Sequence, residues 1–280
     1  VFDHTISTNL TKTYYKSEFY LMANYSFPAL QMVPAVGDTI VIAGGCGGIG
    51  RSLVAAANEI GLNVFVLDLQ CSIDDFPVPQ GVTAFSCDAT KPADIASAFQ
   101  EIAKNVNAID HFVNLVGFTK EQINIADMDD EEWDEIIDGT LKSAFLLVRA
   151  AIPLLRKSAS PSILNTASTF GVDVPVSGYG PYSVAKAGII NFTRVLATEE
   201  GPHIRVNALA PGLIDTQFLK GGTGRAEKSS RIDGNRVVTT IPLQRIGTPN
   251  DLVGMMLFLA SPAASYITSQ TMHVNGGLWS

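Results

Sequence analysis

Ala43-Gly44-Gly45-Cys46-Gly47-Gly48-Ile49-Gly50 is a glycine-rich segment flanked by two apolar segments of different character. The β-branched run 39–42 before it is typical of a buried strand, and the run 51–57 after it is typical of a helix. Strand, glycine turn and helix, in that order, form the context of a loop that binds dinucleotide phosphates. A helix that starts there offers free N–H groups and a positive dipole end to an anion.

The glycines of this segment fit two related spacings. Gly45, Gly47 and Gly50 fit G-x-G-x-x-G, whereas Gly44, Gly48 and Gly50 fit G-x-x-x-G-x-G. In either pattern one glycine allows a tight turn, one lets the backbone approach a pyrophosphate, and one lets helix and strand pack closely. The sequence does not choose between them.

A second predicted strand, 64–67, ends at Asp68, 18 residues after Gly50. This separation is close to the roughly 20 residues expected between the glycine loop and a carboxylate that binds the adenosine ribose. We therefore predict that Asp68 binds the ribose. The alternative is an ordinary turn residue at the end of a strand.

Composition restricts the class of protein. The chain has 280 residues, 46% of them hydrophobic, which suits one large α/β domain. Its net charge of −8 argues against non-specific binding of nucleic acid. The apolar run 255–260 is far too short to span a bilayer, so we expect no membrane association.

The metal-ligating residue types are few. The chain has three cysteines and no C-x-x-C, which argues against a disulfide framework and favours a reducing compartment, so we expect a cytoplasmic protein. The four histidines are scattered without ligand spacing, and we predict no metal site.

Strand and helix patterns alternate from residue 38 onward. We predict strands at 39–43, 63–68, 82–86, 111–116, 162–166, 205–209 and 271–274. We predict helices at 48–60, 92–105, 129–157, 182–200 and 249–260. This alternation predicts an α/β fold: a single doubly wound, Rossmann-type parallel sheet with helices on both faces, formed by residues 38–280.

Two segments lie outside that alternation. Residues 1–37 form an aromatic-rich N-terminal arm, which packs either on its own domain or on a neighbouring subunit. The segment 219–236 is rich in Gly, Ser and basic residues and is typical of a long functional or solvated loop. Its positive charge suits either an anionic substrate such as a phosphopantetheine or CoA thioester, or plain solvation.

Ligands of open parallel sheets bind beyond the carboxyl ends of the strands, and Ser168 lies at one such end. Tyr182 and Lys186 follow it at i, i+4 on the next predicted helix, so they share a helix face. A nearby cation lowers the pKa of a phenol, which can then exchange a proton with a carbonyl oxygen during hydride transfer. We predict that Tyr182 is the acid/base, that Lys186 lowers its pKa, and that Ser168 orients the carbonyl. The alternative is an exposed Tyr–Lys pair on a solvated helix.

With these residues the chain resembles the classical short-chain dehydrogenase/reductase family from about residue 38 to 280. The resemblance rests on the glycine loop, the strand-end residues, the Tyr-x-x-x-Lys pair, and a closing Asn-Gly-Gly at 275–277. It implies that Asp88 contacts the adenine region, that Asn114 braces the central strand, and that Lys186 also binds the nicotinamide ribose. The cofactor-binding residues predicted in this way are Gly44, Gly48, Ile49, Gly50, Asp68, Asp88, Asn114, Gly117, Tyr182, Lys186, Pro211, Gly212, Ile214 and Thr216.

Within the family, the segments 117–121, 130–137 and 266–277 are similar to those of the 3-oxoacyl-(acyl-carrier-protein) reductases. The resemblance implies an oxidoreductase that interconverts a ketone and a secondary alcohol, with a 3-oxoacyl thioester as one expected substrate. Two alternatives stay open: a dehydrogenase of a sugar, polyol or other alcohol, and a catalytically weak dinucleotide-binding sensor or scaffold. The family is commonly homotetrameric, so we expect a homotetramer.

Departures from the family pattern affect the expected chemistry. Thr140 stands where the family usually has an Asn that holds a proton-relaying water, so that relay is not implied here. Gly47 stands where NADPH-dependent relatives have a basic residue, and Asp68 would repel a 2′-phosphate. We therefore expect NAD(H) rather than NADP(H). Arg51 is the one nearby cation that could bind such a phosphate instead.

Overall fold

The computed structural model describes residues 31–174, 176–222 and 237–278. Within these ranges seven strands form one parallel sheet in the order β3-β2-β1-β4-β5-β6-β7. The strands are β1 (Thr39–Ala43), β2 (Asn63–Asp68), β3 (Thr83–Ser86), β4 (His111–Asn114), β5 (Ser162–Thr166), β6 (Arg205–Pro211) and β7 (Thr271–Val274). The predicted doubly wound parallel sheet is confirmed.

Helices connect the strands and cover both faces of the sheet. They are α1 (Gly48–Ile60), α2 (Gln70–Asp75), α3 (Pro92–Asn105), α4 (Asp130–Ile137), α5 (Ser143–Leu155), α6 (Gly180–Glu199) and α7 (Asn250–Ala260). The bounds of α1 and α3 are those predicted, and α6 and α7 shift by one or two residues. The short helix α2 was not predicted, since six residues are too few to show a helical period.

β1 shows how the sheet buries two cores. All five of its residues are buried. Ile40 and Ile42 pack into the core that α1 and α7 cover, whereas Val41 and Ala43 pack into the core that α3 and α5 cover. Successive strand residues point to opposite faces, so a strand apolar at every position must lie between two helical layers.

The order of the strands reverses between β1 and β4, which pair side by side at the centre of the sheet. Beyond the carboxyl ends of β1 and β4, the segments that follow the two strands run in different directions and leave a crevice between them. Gly44 and Leu115 lie on its two sides, and a Cβ on Gly44 would be 3.1 Å from the Leu115 carbonyl carbon. This crevice is where a ligand of an open parallel sheet is expected.

The single helix predicted at 129–157 is wrong in one respect. A π-helical turn, Asp138–Lys142, separates α4 from α5. The Phe118 ring packs directly against this turn, since a Cβ at Gly139 would lie 2.2 Å from it. The Ser143 hydroxyl donates to the carbonyl oxygens of Gly139 and Thr140, at 3.0 and 3.3 Å, and so provides a donor for carbonyls in the turn.

Two predicted strand ends also differ from the structure. β4 ends at Asn114 instead of residue 116, because the Asn114 side-chain oxygen accepts the N–H of Val116 at 3.1 Å and turns the chain. β6 continues to Pro211 beyond the predicted residue 209, and it pairs with β7 to that end. Both differences occur at the edge of the sheet where the crevice opens.

The two segments outside the alternation lie mostly beyond the described ranges. Residues 1–30 of the arm and 223–236 of the basic loop are among the residues not described, so the division at residue 37 stays a prediction. In the described part, every helix is too short or too polar to pass through a bilayer. The same residues contain no group of three or more His, Cys, Asp or Glu side chains arranged to hold a metal ion.

Candidate active site

The glycine loop is closed by contacts that leave no room for side chains. Gly44 has φ +82°, a left-handed conformation that favours glycine. A Cβ on Gly45 would lie 2.6 Å from Val66 Cγ1, and one on Gly50 would lie 2.2 Å from the Gly44 carbonyl oxygen. The loop backbone is thereby pressed against β2 and against itself.

Gly47 and Gly48 begin α1. Gly47 is the N-cap residue, and no side chain caps this helix end with a hydrogen bond. A Cβ on Gly48 would lie 2.7 Å from Thr216 Cγ2, so the segment after β6 packs directly on the first turn of α1. Glycines from both spacings are therefore constrained, and the two readings of the motif describe one tightly packed loop.

Asp68 lies at the carboxyl end of β2 and fixes the glycine loop. One carboxylate oxygen accepts the N–H of Cys46 at 2.8 Å, and the other accepts the N–H of Leu69 at 2.8 Å. Burial raises the pKa of Asp68, and these hydrogen bonds oppose the rise. The Ser72 side chain also interacts with this carboxylate and opposes the rise, and the carboxylate still keeps acceptor capacity for a ribose hydroxyl. The carboxylate thus has a structural role that the sequence did not reveal.

Arg51 is held away from a purely solvated position. Its guanidinium lies 3.8 Å from the centre of the Phe76 ring, and its Nη1 donates to the Cys46 carbonyl oxygen at 3.5 Å. A cation over an aromatic face is attracted by the ring quadrupole. The Arg51 guanidinium therefore already has two partners within the protein.

Asp88 lies beyond β3, near the edge of the sheet. Its carboxylate accepts from the Thr90 hydroxyl at 2.7 Å and the Thr90 N–H at 3.0 Å, and it pairs with Lys91 at 3.1 Å. Burial raises the pKa of Asp88, but the contacts with Thr90 and Lys91 outweigh this effect and leave it lowered. Asp88, the predicted adenine contact, therefore binds residues of its own loop.

Asn114 and Gly117 line the other side of the crevice. Asn114 is 1% exposed, and its side-chain nitrogen has no hydrogen-bond partner among the described residues. Gly117 has φ +155°, and a Cβ there would lie 3.2 Å from Lys186 Nζ and 3.4 Å from Thr140 Cγ2. The loop after β4 therefore runs directly over Lys186.

The segment after β6 completes the crevice. Pro211 ends that strand, and a Cβ on Gly212 would lie 2.8 Å from the Cα of Asn275 in the closing Asn-Gly-Gly. Ile214 is buried, and the Thr216 hydroxyl lies 3.5 Å from the Ile214 carbonyl oxygen. Together with the uncapped start of α1, the Asp68 carboxylate and the orphaned Asn114 amide, this cradle fits an extended dinucleotide.

Ser168, Tyr182 and Lys186 come together at the carboxyl end of β5. Ser168 caps a 3₁₀ turn, Thr169–Gly171, by accepting the Phe170 N–H at 3.2 Å, and its hydroxyl hydrogen-bonds the Tyr182 phenol. Gly171 allows this turn to approach α6, since a Cβ there would lie 2.7 Å from the Lys186 carbonyl carbon. Tyr182 and Lys186 are both buried and do not lie on a solvated helix face.

Lys186 is held among buried groups. Its side chain is 3% exposed, and its ammonium donates to the Thr166 carbonyl oxygen at 2.7 Å. The nitrogen lies 5.7 Å from the centre of the Tyr182 ring. Sequence reasoning missed Thr166, because a main-chain acceptor carries no signal in the side-chain pattern.

Burial acts against the predicted lowering of the Tyr182 pKa. Burial raises the pKa of Tyr182 to about 12, and the Ser168 hydrogen bond only partly opposes this. Burial also lowers the pKa of Lys186 to about 7. A lysine that gives up its proton near neutrality supplies less positive charge to the phenol.

Thr140 is fully buried in the π turn beside this group. Its hydroxyl donates to the Phe118 carbonyl oxygen at 3.4 Å, and its methyl faces Gly117. The side chain that replaces the usual Asn therefore binds the loop after β4.

The aromatic side chains around Tyr182 also escaped sequence reasoning. Its ring centre lies 5.7 Å from that of Phe218 and 6.3 Å from that of Phe170. Phe118 packs in the same cluster. These residues lie in three separate loops without a common motif, so only the fold brings them together.

Comparisons with known proteins identify a matching family model and similar relatives. Residues 44–279 match the family model described as enoyl-(acyl carrier protein) reductase. The 3-oxoacyl-(acyl-carrier-protein) reductase of Chlamydia muridarum is 33% identical over 251 residues, covering 87% of this chain and 98% of the relative.

Two solved structures from Brucella melitensis are similar. One is described as a short-chain dehydrogenase/reductase of the glucose/ribitol dehydrogenase type, with 29% identity and a TM-score of 0.79, covering 89% of this chain and 99% of that one. The other is a 3-ketoacyl-(acyl-carrier-protein) reductase complexed with NADH, with 26% identity and a TM-score of 0.78, covering 88% and 99%.

Replacing the buried amine should stabilise the protein. The folded-state pKa of Lys186 lies below its ordinary value of 10.5, so the unfolded chain binds more protons between pH 7 and 10.5. The contribution of Lys186 to the stability of the parent should therefore rise with pH over that window. Lys186→Met should remove this rise and add about 2–4 kcal/mol at pH 7, because it removes a buried charge.

Urea unfolding at about pH 7 and pH 9.5 measures this effect. Lys157→Met, at an exposed lysine after α5, is the matched control and should keep the parent's pH dependence. Equal pH dependence in the parent and Lys186→Met would contradict the burial of the charge.

Proposed function

The chain belongs to the short-chain dehydrogenase/reductase family, and from this membership we propose an NAD(H)-dependent oxidoreductase that interconverts a ketone and a secondary alcohol. One observation carries the proposal: the Ser168 hydroxyl, the Tyr182 phenol and the Lys186 amine are buried together at the carboxyl end of β5. They lie next to a crevice whose glycine loop fits a dinucleotide.

The chemistry follows from where the protons are held. A bound reduced nicotinamide supplies the hydride that adds to the carbonyl carbon. The Ser168 hydroxyl donates to the carbonyl oxygen and orients it, and Tyr182 gives that oxygen its proton. Lys186, in its charged form, stabilises the phenolate left behind.

The protonated state of the Tyr182 phenol at neutral pH suits it to donate a proton during reduction. A phenol with a pKa of about 12 keeps its proton near pH 7 and can act as the acid. Oxidation of an alcohol needs the phenolate and should become faster at higher pH.

NAD(H) is the proposed cofactor. The Asp68 carboxylate is suited to the two hydroxyls of an unmodified ribose and would repel a 2′-phosphate. Arg51, the cation that could reverse this preference, lies over Phe76 and bonds the Cys46 carbonyl oxygen.

A 3-oxoacyl thioester is the proposed substrate, supported by the similarity to acyl-carrier-protein reductases. A sugar or polyol is the second candidate, supported by the relative described as glucose/ribitol dehydrogenase. The similarity alone does not separate the two.

The proposed assembly is a homotetramer in the cytoplasm. Phe145 on α5 and Val184 and Val195 on α6 are large apolar side chains that are 42–49% exposed. Contact between subunits would remove this surface from water. The arm 1–37 then packs either on its own domain or in such a contact between subunits.

Cofactor preference is tested by titrating the protein with NADH and NADPH while monitoring nicotinamide fluorescence. NADH should bind more tightly than NADPH. Asp68→Asn should lower the ratio of the NADPH and NADH dissociation constants by about fivefold or more, because it removes the negative charge that would repel a 2′-phosphate. The Asn oxygen can still accept from Cys46, which keeps the loop closed. Tighter binding of NADPH by the parent, lost in Arg51→Ala, would contradict the assignment.

Catalysis is tested by following NADH oxidation with acetoacetyl-CoA. Tyr182→Phe should lower kcat by about 10²–10⁴-fold while NADH binding stays measurable, because only the proton donor is removed. Ser168→Ala should lower it by about 10²-fold or more. Absence of turnover in the parent across ketones and alcohols, with intact NADH binding, would instead indicate the sensor or scaffold.

A further inference from the structure

Three phenylalanines enclose Tyr182, and we name Phe118, Phe170 and Phe218 the aromatic wall. They follow the carboxyl ends of β4, β5 and β6 respectively, so three loops contribute one ring each. Phe170 and Phe218 lie against the Tyr182 ring, and Phe118 packs in the same cluster. The wall therefore lies beside the phenol that donates a proton to the carbonyl oxygen in the proposed reaction.

The position of Phe118 is fixed by the π turn. Its ring occupies the space that a side chain at Gly139 would need, at 2.2 Å from the Cβ position. Its carbonyl oxygen accepts the Thr140 hydroxyl. The break between α4 and α5 therefore seats this ring, in line with the frequent occurrence of π turns at functional sites.

Exposed apolar side chains lie close to the wall in the sequence and at the start of α6. Val172 and Val174 follow Phe170 along the chain and are 54% and 57% exposed. Ile125, which is 61% exposed, packs against Gly180 at the start of α6. An exposed apolar rim that leads to a buried reactive group is typical of a ligand site.

The chemistry of the wall discriminates between the two substrate candidates. A buried polyol must find a hydrogen-bond partner for each hydroxyl, and aromatic ring carbons provide none. An alkyl or aryl group gains from leaving water against the same rings.

We propose that the substrate carries an apolar alkyl or aryl group next to its carbonyl and that this group lies on the aromatic wall. This inference rests on the proposed ketone chemistry and names its substrate class. The carbonyl oxygen lies at Ser168 and Tyr182, and Phe118, Phe170 and Phe218 determine which ketones are accepted.

The test uses ethyl esters of 3-oxo acids, from ethyl acetoacetate to ethyl 3-oxohexanoate, with NADH and the full chain. In the parent, kcat/KM should rise roughly fourfold for each added methylene, because each one is buried on the wall. Phe218→Ala should flatten this rise, and Phe218→Leu should restore most of it. Ribitol and glucose with NAD should be poor substrates.

Phe85→Ala is the matched control. It removes a partly buried ring that stacks on Phe65, with 6.2 Å between ring centres, on β3 and β2. It should lower stability and keep the chain-length dependence. Loss of that dependence in Phe85→Ala as well would show a general effect of destabilisation and would contradict the specific role of Phe218.

Binding separates this inference from the proposed function. Calorimetry of the same esters with Tyr182→Phe and NADH should show affinity that increases with chain length, even without turnover. Affinity independent of chain length, or preferred turnover of ribitol or glucose, would overturn the aromatic wall. Lack of turnover with chain-length-dependent binding would overturn only the proposed reaction.

Discussion

The site depends on the burial of one amine. Lys186 is 3% exposed and donates to the Thr166 carbonyl oxygen at the end of β5. Moving a cation from water to an apolar environment costs free energy. Burial therefore lowers the pKa of Lys186 to about 7. Such a cost is typical of functional sites, and the hydrogen bond to Thr166 holds the start of α6 against the end of β5, with Tyr182 one turn before Lys186.

A second constraint is the contact between the cofactor side and the substrate side. Thr216 packs on Gly48 at the start of α1, and Phe218, two residues later, packs on the Tyr182 ring. The short segment after β6 thus touches both the glycine loop and the Tyr182 phenol. A nucleotide that orders one end of this segment would position the ring at the other end.

Sequence patterns predicted the features that arise from local order. Alternating apolar and helical segments predicted all seven strands, and the rule that ligands bind beyond strand ends placed Ser168 next to Tyr182 and Lys186. Features that depend on distant contacts were missed. The π turn after α4 packs against Phe118 at Gly139, and the raised pKa of Tyr182 follows from burial.

The most direct test of the account is transfer of deuterium from NADH that carries deuterium in place of both hydrogens at C4 of its nicotinamide. After incubation with ethyl 3-oxohexanoate, mass spectrometry measures deuterium on the carbinol carbon of the product. The account predicts deuterated alcohol from the parent protein and almost none from Tyr182→Phe. An unlabelled product, or no product although NADH and the ester both bind, would contradict hydride transfer at Tyr182.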